Sequence, residues 1–241
     1  MAIKFYDQKE YFKSSELLEL CLSNIRGRKE AVSVNYYYAM AQFYQSQYLI
    51  SSYHFQRVFE TYNRSEYAEE SEYMYAYSLY LMTPTSSLDQ SNTYEAINAY
   101  QDFINHYPNT SKVDECNNRI DELYYKLEVK AFENARFLYK VRQYKAAVVS
   151  LNNFINEYPS SSFVEEALYA KMRAQYDLAD NSLEVVIKEE EIIKLKENRF
   201  KDVLNFYLDF LDKYPNSEYS KSAEKYYKQA KDNLLTLNSE I

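Results

Sequence analysis

The sequence predicts an all-α fold, a superhelical array of five helix pairs followed by a closing C-terminal helix. Three observations predict it. First, a four-residue column recurs five times with the same internal offsets of three, seven and ten residues: Tyr11-Ser14-Leu18-Cys21, Tyr48-Ser51-Phe55-Val58, Thr93-Ala96-Tyr100-Phe103, Tyr144-Ala147-Leu151-Phe154 and Phe200-Val203-Tyr207-Phe210. Those offsets hold all four side chains on one face of an α-helix. Second, a Tyr-Pro follows four residues after the last column member in three repeats, at Tyr107-Pro108, Tyr158-Pro159 and Tyr214-Pro215. The proline ring removes a donor and disfavours helix in the residue before it, so each pair stops there. Third, one glycine and four prolines in 241 residues leave almost no turn chemistry for β-hairpins, and no alternating strand pattern persists.

This is a tetratricopeptide-like pattern. The first column members are separated by 37, 45, 51 and 56 residues, more than the usual ~34-residue period. Repeats 3 to 5 therefore carry insertions. The second column position is small (Ser14, Ser51, Ala96, Ala147), which lets the two helices of a pair approach closely, and only Val203 breaks that rule. Each hairpin has an apolar face it cannot bury alone, so the pairs stack into a solenoid with a concave and a convex side.

In chain order, helices are predicted near 2–9 and 11–25, 29–46 and 48–61, 66–82 and 91–106, then 110–141, 144–157, 162–179, 199–213 and 217–237. The stretch 110–141 has no Pro or Gly and runs Val113, Ile120, Leu123, Leu127, Phe132, Ala135 and Leu138 at three-to-four spacing, which predicts one rod joining two halves. The halves are residues 1–127, with repeats 1 to 3, and residues 128–241, with repeats 4 and 5 and the closing helix. The segment Thr83 to Asn92 is rich in capping residues and interrupts repeat 3, and Asp180 to Asn198 enlarges repeat 5. The mixed run Lys188-Glu189-Glu190-Glu191 through Lys194-Leu195-Lys196-Glu197 reads as a solvated helix face.

Composition narrows the function. Hydrophobic residues make up 46% of the chain, enough for a core, but 29 tyrosines and no tryptophan supply much of it. Tyrosine keeps a polar tip that wants water or a partner, so many rings belong at groove edges. A net charge of −8 argues against a nucleic acid as ligand, since phosphate binding needs clustered Lys and Arg. Cys21, at the last column position of repeat 1, reads as a small buried residue, and Cys116 lies too far off to pair with it. With His54 and His106 the only histidines, and both read as surface or packing residues, no metal site and no cofactor are expected. Nothing is apolar enough to span a bilayer, and Met1 to Tyr6 lacks the zones of a signal peptide.

At this point the chain resembles the BamD family, lipoproteins of the outer-membrane β-barrel assembly machinery, in the form found in Bacteroidetes-type bacteria. The resemblance rests on five repeats, the inserted Pro84-Thr85-Ser86-Ser87-Leu88-Asp89-Gln90 loop, Phe103-Ile104-Asn105-His106-Tyr107-Pro108, and the closing Phe210-Leu211-Asp212-Lys213-Tyr214-Pro215-Asn216-Ser217. It covers nearly the whole chain. The family's lipid-bearing cysteine has no match here, so the expectation is that the signal peptide and lipid-anchor segment were removed upstream of Met1-Ala2. The resemblance implies an adaptor at the periplasmic face of the outer membrane, held there by a lipid anchor absent from this chain. Its implied partners are a BamA-like insertase, docked by the C-terminal repeats, and unfolded β-barrel precursors, received by the N-terminal repeats. A second reading is another periplasmic tetratricopeptide scaffold, similar to the YbgF-like cell-envelope proteins.

The residues nominate a groove. In tetratricopeptide repeats the first helix of each pair lines the concave side. Counting back from Tyr48 puts Tyr36, Met40, Phe43 and Tyr44 there, and matching Ser71-Glu72-Tyr73 to Ala167-Leu168-Tyr169 adds Tyr73, Tyr77 and Tyr80. These seven form one expected aromatic trough for an extended peptide, against the plainer reading that the rings only pack neighbouring helices. Glu69-Glu70 and Glu165-Glu166 read as charges favourable to the dipoles of the helices they begin. An enzyme is not expected: there is no glycine-rich phosphate loop, no nucleophile elbow, and the acidic residues are scattered at surface-like positions.

Overall fold

The computed structural model describes the chain apart from residues 23, 26–27, 182–188 and 240–241. Eleven helices and no strand are present among the described residues: α1 (Ala2–Asp7), α2 (Tyr11–Leu22), α3 (Ala31–Tyr44), α4 (Tyr48–Thr61), α5 (Ala68–Leu81), α6 (Ser91–His106), α7 (Val113–Lys140), α8 (Tyr144–Glu157), α9 (Val164–Asp180), α10 (Glu189–Lys213) and α11 (Ser220–Ser239). They make five tetratricopeptide-like pairs, with α11 closing on α9 and α10. None of the described helices is long and apolar enough to cross a membrane. The chain divides into two compact units, Met1–Leu127 and Glu128–Ile241, and α7 runs unbroken across that division.

The column explains the pairing. Ser14, Ser51, Thr93, Ala96, Ala147 and Val203 are fully buried, as are Phe55, Tyr100, Phe103, Leu151 and Phe210. The small position works as close approach requires, because the Ser14 hydroxyl donates to the Ala2 carbonyl at 3.1 Å and that of Ser51 to the Ala39 carbonyl at 3.0 Å. Each joins the second helix of a pair to the backbone of the first. Val203 fills the same place with no loss of burial.

The helix stop has a second cause beside proline. Tyr107, Tyr158 and Tyr214 lay their rings on Phe103, Phe154 and Phe210, four residues back, with centroids 5.4, 5.4 and 6.1 Å apart. Their backbone N–H groups donate to the same residues' carbonyls. Repeat 1 has Ile25 in place of that tyrosine, and α2 ends one residue after Cys21. Cys21 is therefore exposed, against its expected burial, because the cap that covers the last column member elsewhere is missing. Cys116 is buried, and both cysteines are free.

A second difference lies in α10, which begins at Glu189 rather than near residue 199. Ile192, Ile193 and Leu195 are half-buried there, so an apolar stripe carries the helix back into the expected insertion. Of the mixed charge run, Lys188 falls outside the described residues. Glu190, Glu191 and Lys194 are exposed as expected, whereas Lys196 and Glu197 are half-buried.

Candidate peptide-binding grooves

In unit Met1–Leu127 the seven nominated residues share the inner face of α3 and α5 but differ in access. Met40 and Tyr73 are buried, Tyr36, Phe43, Tyr77 and Tyr80 half-buried, and Tyr44 is 49% exposed. The ring of Phe43 meets Tyr77 at 5.6 Å, and Tyr73, Tyr77 and Tyr80 stack in turn at 6.1 Å, as the spacing of one helix face demands. Met40 lies in the core beneath them.

The α5 end of the row is covered by α7. The Tyr73 hydroxyl donates to Glu115 at 2.9 Å and that of Tyr80 to Glu122 at 2.5 Å. Lys112 stands 4.0 Å over the Tyr73 ring, and the Arg119 guanidinium lies 4.6 Å over Tyr80 and 5.6 Å over Tyr77. Arg119 also donates to the Tyr80 oxygen at 3.0 Å and pairs with Glu122 at 3.4 Å and Glu115 at 3.9 Å. Burial, then the Glu115 bond, pushes the Tyr73 phenol well up. For Tyr80 the Glu122 bond acts first and burial second. Both hydroxyls stay protonated and keep donating.

The α3 end is open and larger than the seven residues. Tyr44 stacks on Tyr11 at 4.5 Å and tilts towards Tyr6 at 6.2 Å, and Tyr6 meets Tyr37 at 5.2 Å. Tyr36 lies 4.6 Å from Tyr67 and 5.4 Å from Tyr37. Burial, followed by the charge of Glu70, raises the Tyr36 phenol to about 12. Six tyrosines thus surround this end, four of which, Tyr6, Tyr11, Tyr37 and Tyr67, sequence reasoning missed. A signal existed for one of them: Tyr6 stands five residues before its column, the register of Phe43 before Tyr48.

The acidic pairs at the helix starts do more than complement dipoles. Glu70 pairs with Lys112, Glu69 accepts from Thr110 at 2.8 Å, and Glu166 stands 3.8 Å from Arg136. His106 bonds the buried Glu72 at 2.6 Å, and His54 packs its ring on Tyr38 at 4.6 Å. No group of residues able to hold a metal ion occurs among the described residues.

Unit Glu128–Ile241 holds a cavity of about 540 Å³ lined by α7, α9, Leu151 of α8 and Tyr219 just before α11, with Tyr139, Tyr169 and Arg173 among its walls. Tyr139 repeats the register five residues before the column, at Tyr144. A shallower hollow of about 880 Å³ lies at the α7–α8 turn, lined by Leu138, Arg142, Tyr144 and Val149.

Among solved structures, the crystal structure of the apo form of RapI aligns over 100% of this chain and 97% of that one, with 13% sequence identity and a TM-score of 0.36. A likeness that slight carries no argument about this chain. No curated protein matches it in sequence. One sequence family does, the family YfiO, described as an outer membrane lipoprotein, over residues 2–190. The span runs from α1 to the start of α10, more than three quarters of the chain. On that match the chain belongs to the YfiO family of outer membrane lipoproteins, the BamD family, whose place is the periplasmic face of the outer membrane under a lipid anchor.

Proposed function

We propose that this chain is a non-enzymatic adaptor of the β-barrel assembly machinery, whose unit Glu128–Ile241 docks a BamA-type insertase and whose unit Met1–Leu127 receives unfolded barrel precursors. Family membership supports the setting. The observation that supports a receiving role is the ring of six tyrosines at the open α3 end of the trough. Aromatic faces give contact area at low entropic cost, and hydroxyl tips accept or donate at the rim without demanding one sequence. Ordering a flexible segment offsets much of that burial, so ~micromolar affinity is expected.

The seven trough residues are not equal as test positions. Tyr73 is buried and bonded to Glu115, so its removal costs roughly 3 kcal/mol of packing whether or not a peptide binds. Tyr36→Ser with Tyr44→Ser is the informative pair. It is expected to weaken binding of C-terminal barrel peptides about tenfold with helicity by circular dichroism unchanged; unchanged binding would remove the trough as the site. For docking, the full-length lipoprotein captured from solubilised envelopes should bring down the insertase, and truncation after Leu127 should abolish its recovery.

A further inference from the structure

The chain builds one motif twice, an arginine laid over stacked tyrosines on the inner face, and completes it only once. In the first unit Arg119 lies over Tyr77 and Tyr80 and meets two carboxylates, Glu115 and Glu122, and a hydroxyl. In the second, Arg173 lies 4.1 Å over Tyr139 and 6.0 Å over Tyr169, and Tyr169 stacks on Tyr219 at 4.8 Å. Here no carboxylate among the described residues reaches it. The Arg173 Nε is buried without a hydrogen-bond partner, and the arginine makes no ion pair among the described residues. Asp177, one turn along α9, is engaged by the Tyr139 hydroxyl, and Glu133 and Glu166 face Arg136.

A buried guanidinium donor with no acceptor is costly, and a guanidinium packed over a ring takes a planar acceptor along its edge. Arg173 itself lines the 540 Å³ cavity, whose other walls include Phe137, exposed, Tyr219, Ala170 and the cations Arg136 and Lys140. We infer that this cavity is a docking site for an extended acidic segment of a partner protein, with a side-chain carboxylate on Arg173 and an adjacent apolar side chain against Phe137 and Tyr219. Charge complementarity selects the occupant, because three cations border the cavity and its two carboxylates are already paired with one of them. An internal acidic residue is chosen over a chain terminus because side chains, not a nest of backbone N–H groups, supply the donors. The inference goes beyond the adaptor reading, since it names a site and a ligand chemistry that the reading leaves unassigned.

The test is calorimetric titration of the whole chain with three peptides, the first two capped at both ends. One alternates Phe and Glu, one replaces each Glu by Gln, and one is the Gln version with a free terminal carboxylate. The Phe–Glu peptide is expected to bind at least about tenfold more tightly than either Gln version, the loss expected of one charge-assisted pair. That comparison needs no variant. Arg173→Met should remove the difference, and Arg173→Lys should keep part of it. Equal binding of the Glu and Gln peptides, a preference for the free terminus, no binding at all, or a folded Arg173→Met chain that still discriminates would each overturn the assignment. Failure of the insertase pull-down leaves this result untouched, and the reverse holds too.

Discussion

Three turns between paired helices hold a non-glycine residue in the left-handed region: Lys9 at φ 61°, Ser46 at 60° and Arg142 at 62°. Each stands two residues before its column. Each also makes the same two bonds, its own N–H to the carbonyl three residues back and the next residue's N–H to the carbonyl five back, as in Ser46 to Phe43 and Gln47 to Gln42, both at 2.9 Å. This is the Schellman ending, where glycine is usual and any Cβ crowds the carbonyl. A left-handed non-glycine residue costs roughly 1–2 kcal/mol, and glycine's extra freedom in the unfolded chain returns about 0.5–1 of that. Ser46→Gly is therefore expected to stabilise the protein by ~0.5–1 kcal/mol, read as a shift of the urea midpoint at constant slope. The opposite sign is expected for Gln101→Gly, at an exposed site inside α6, where glycine costs ~1 kcal/mol. If Ser46→Gly destabilises like Gln101→Gly, the turn is not strained and the reasoning fails. The turn bears on the proposed peptide site, because it aims Tyr44, two residues before it, onto Tyr11 at the open end of the trough.

Other outcomes follow from single sites. Tyr100 is fully buried with its hydroxyl unpartnered, and burial drives its phenol far up, so Tyr100→Phe should leave stability unchanged or raise it by about 1 kcal/mol in the same urea assay. Burial first, and Arg57 second, lowers the His54 imidazole to about 4 from an ordinary 6.5. The unfolded chain then binds the extra proton between those values, so stability falls as pH drops from about 6.5 towards 4; His54→Gln should lessen that fall by roughly 1 kcal/mol, allowing for partial exposure. Ser51→Leu, placed where the hydroxyl touches the Ala39 carbonyl, should cost roughly 1–3 kcal/mol of urea stability by overpacking, whereas Ser51→Ala should cost about 1.

The column was legible because offsets of three, seven and ten map directly onto one helix face, and burial followed it at every small position. Cys21 was misread for a local reason, since the pattern encodes a face but not the tyrosine that caps it. The early start of α10 was hidden because Ile192, Ile193 and Leu195 sit among charges that read as solvated. At the candidate sites, the seven trough residues could be placed on one face by counting, yet their access depends on α7, whose Glu115, Arg119 and Glu122 come some 40 residues later. Arg173 was invisible for the same reason: what marks it is a missing partner, and a sequence does not print absences.

The acidic residues that read as scattered surface charge turn out to share a task. Tyr73 donates to Glu115, Tyr80 to Glu122 and Tyr139 to Asp177, so a tyrosine on the first helix of one pair grips a carboxylate on the first helix of the next in both units. A phenol held neutral by burial is a good donor to a carboxylate and exacts no second desolvated charge, which an arginine or lysine in its place would. This accounts for tyrosine where phenylalanine would fill the same volume. It also divides the row of rings: those tied to a carboxylate of the next helix are structure, and Tyr44, exposed and without such a tie, is where the proposed peptide would lie.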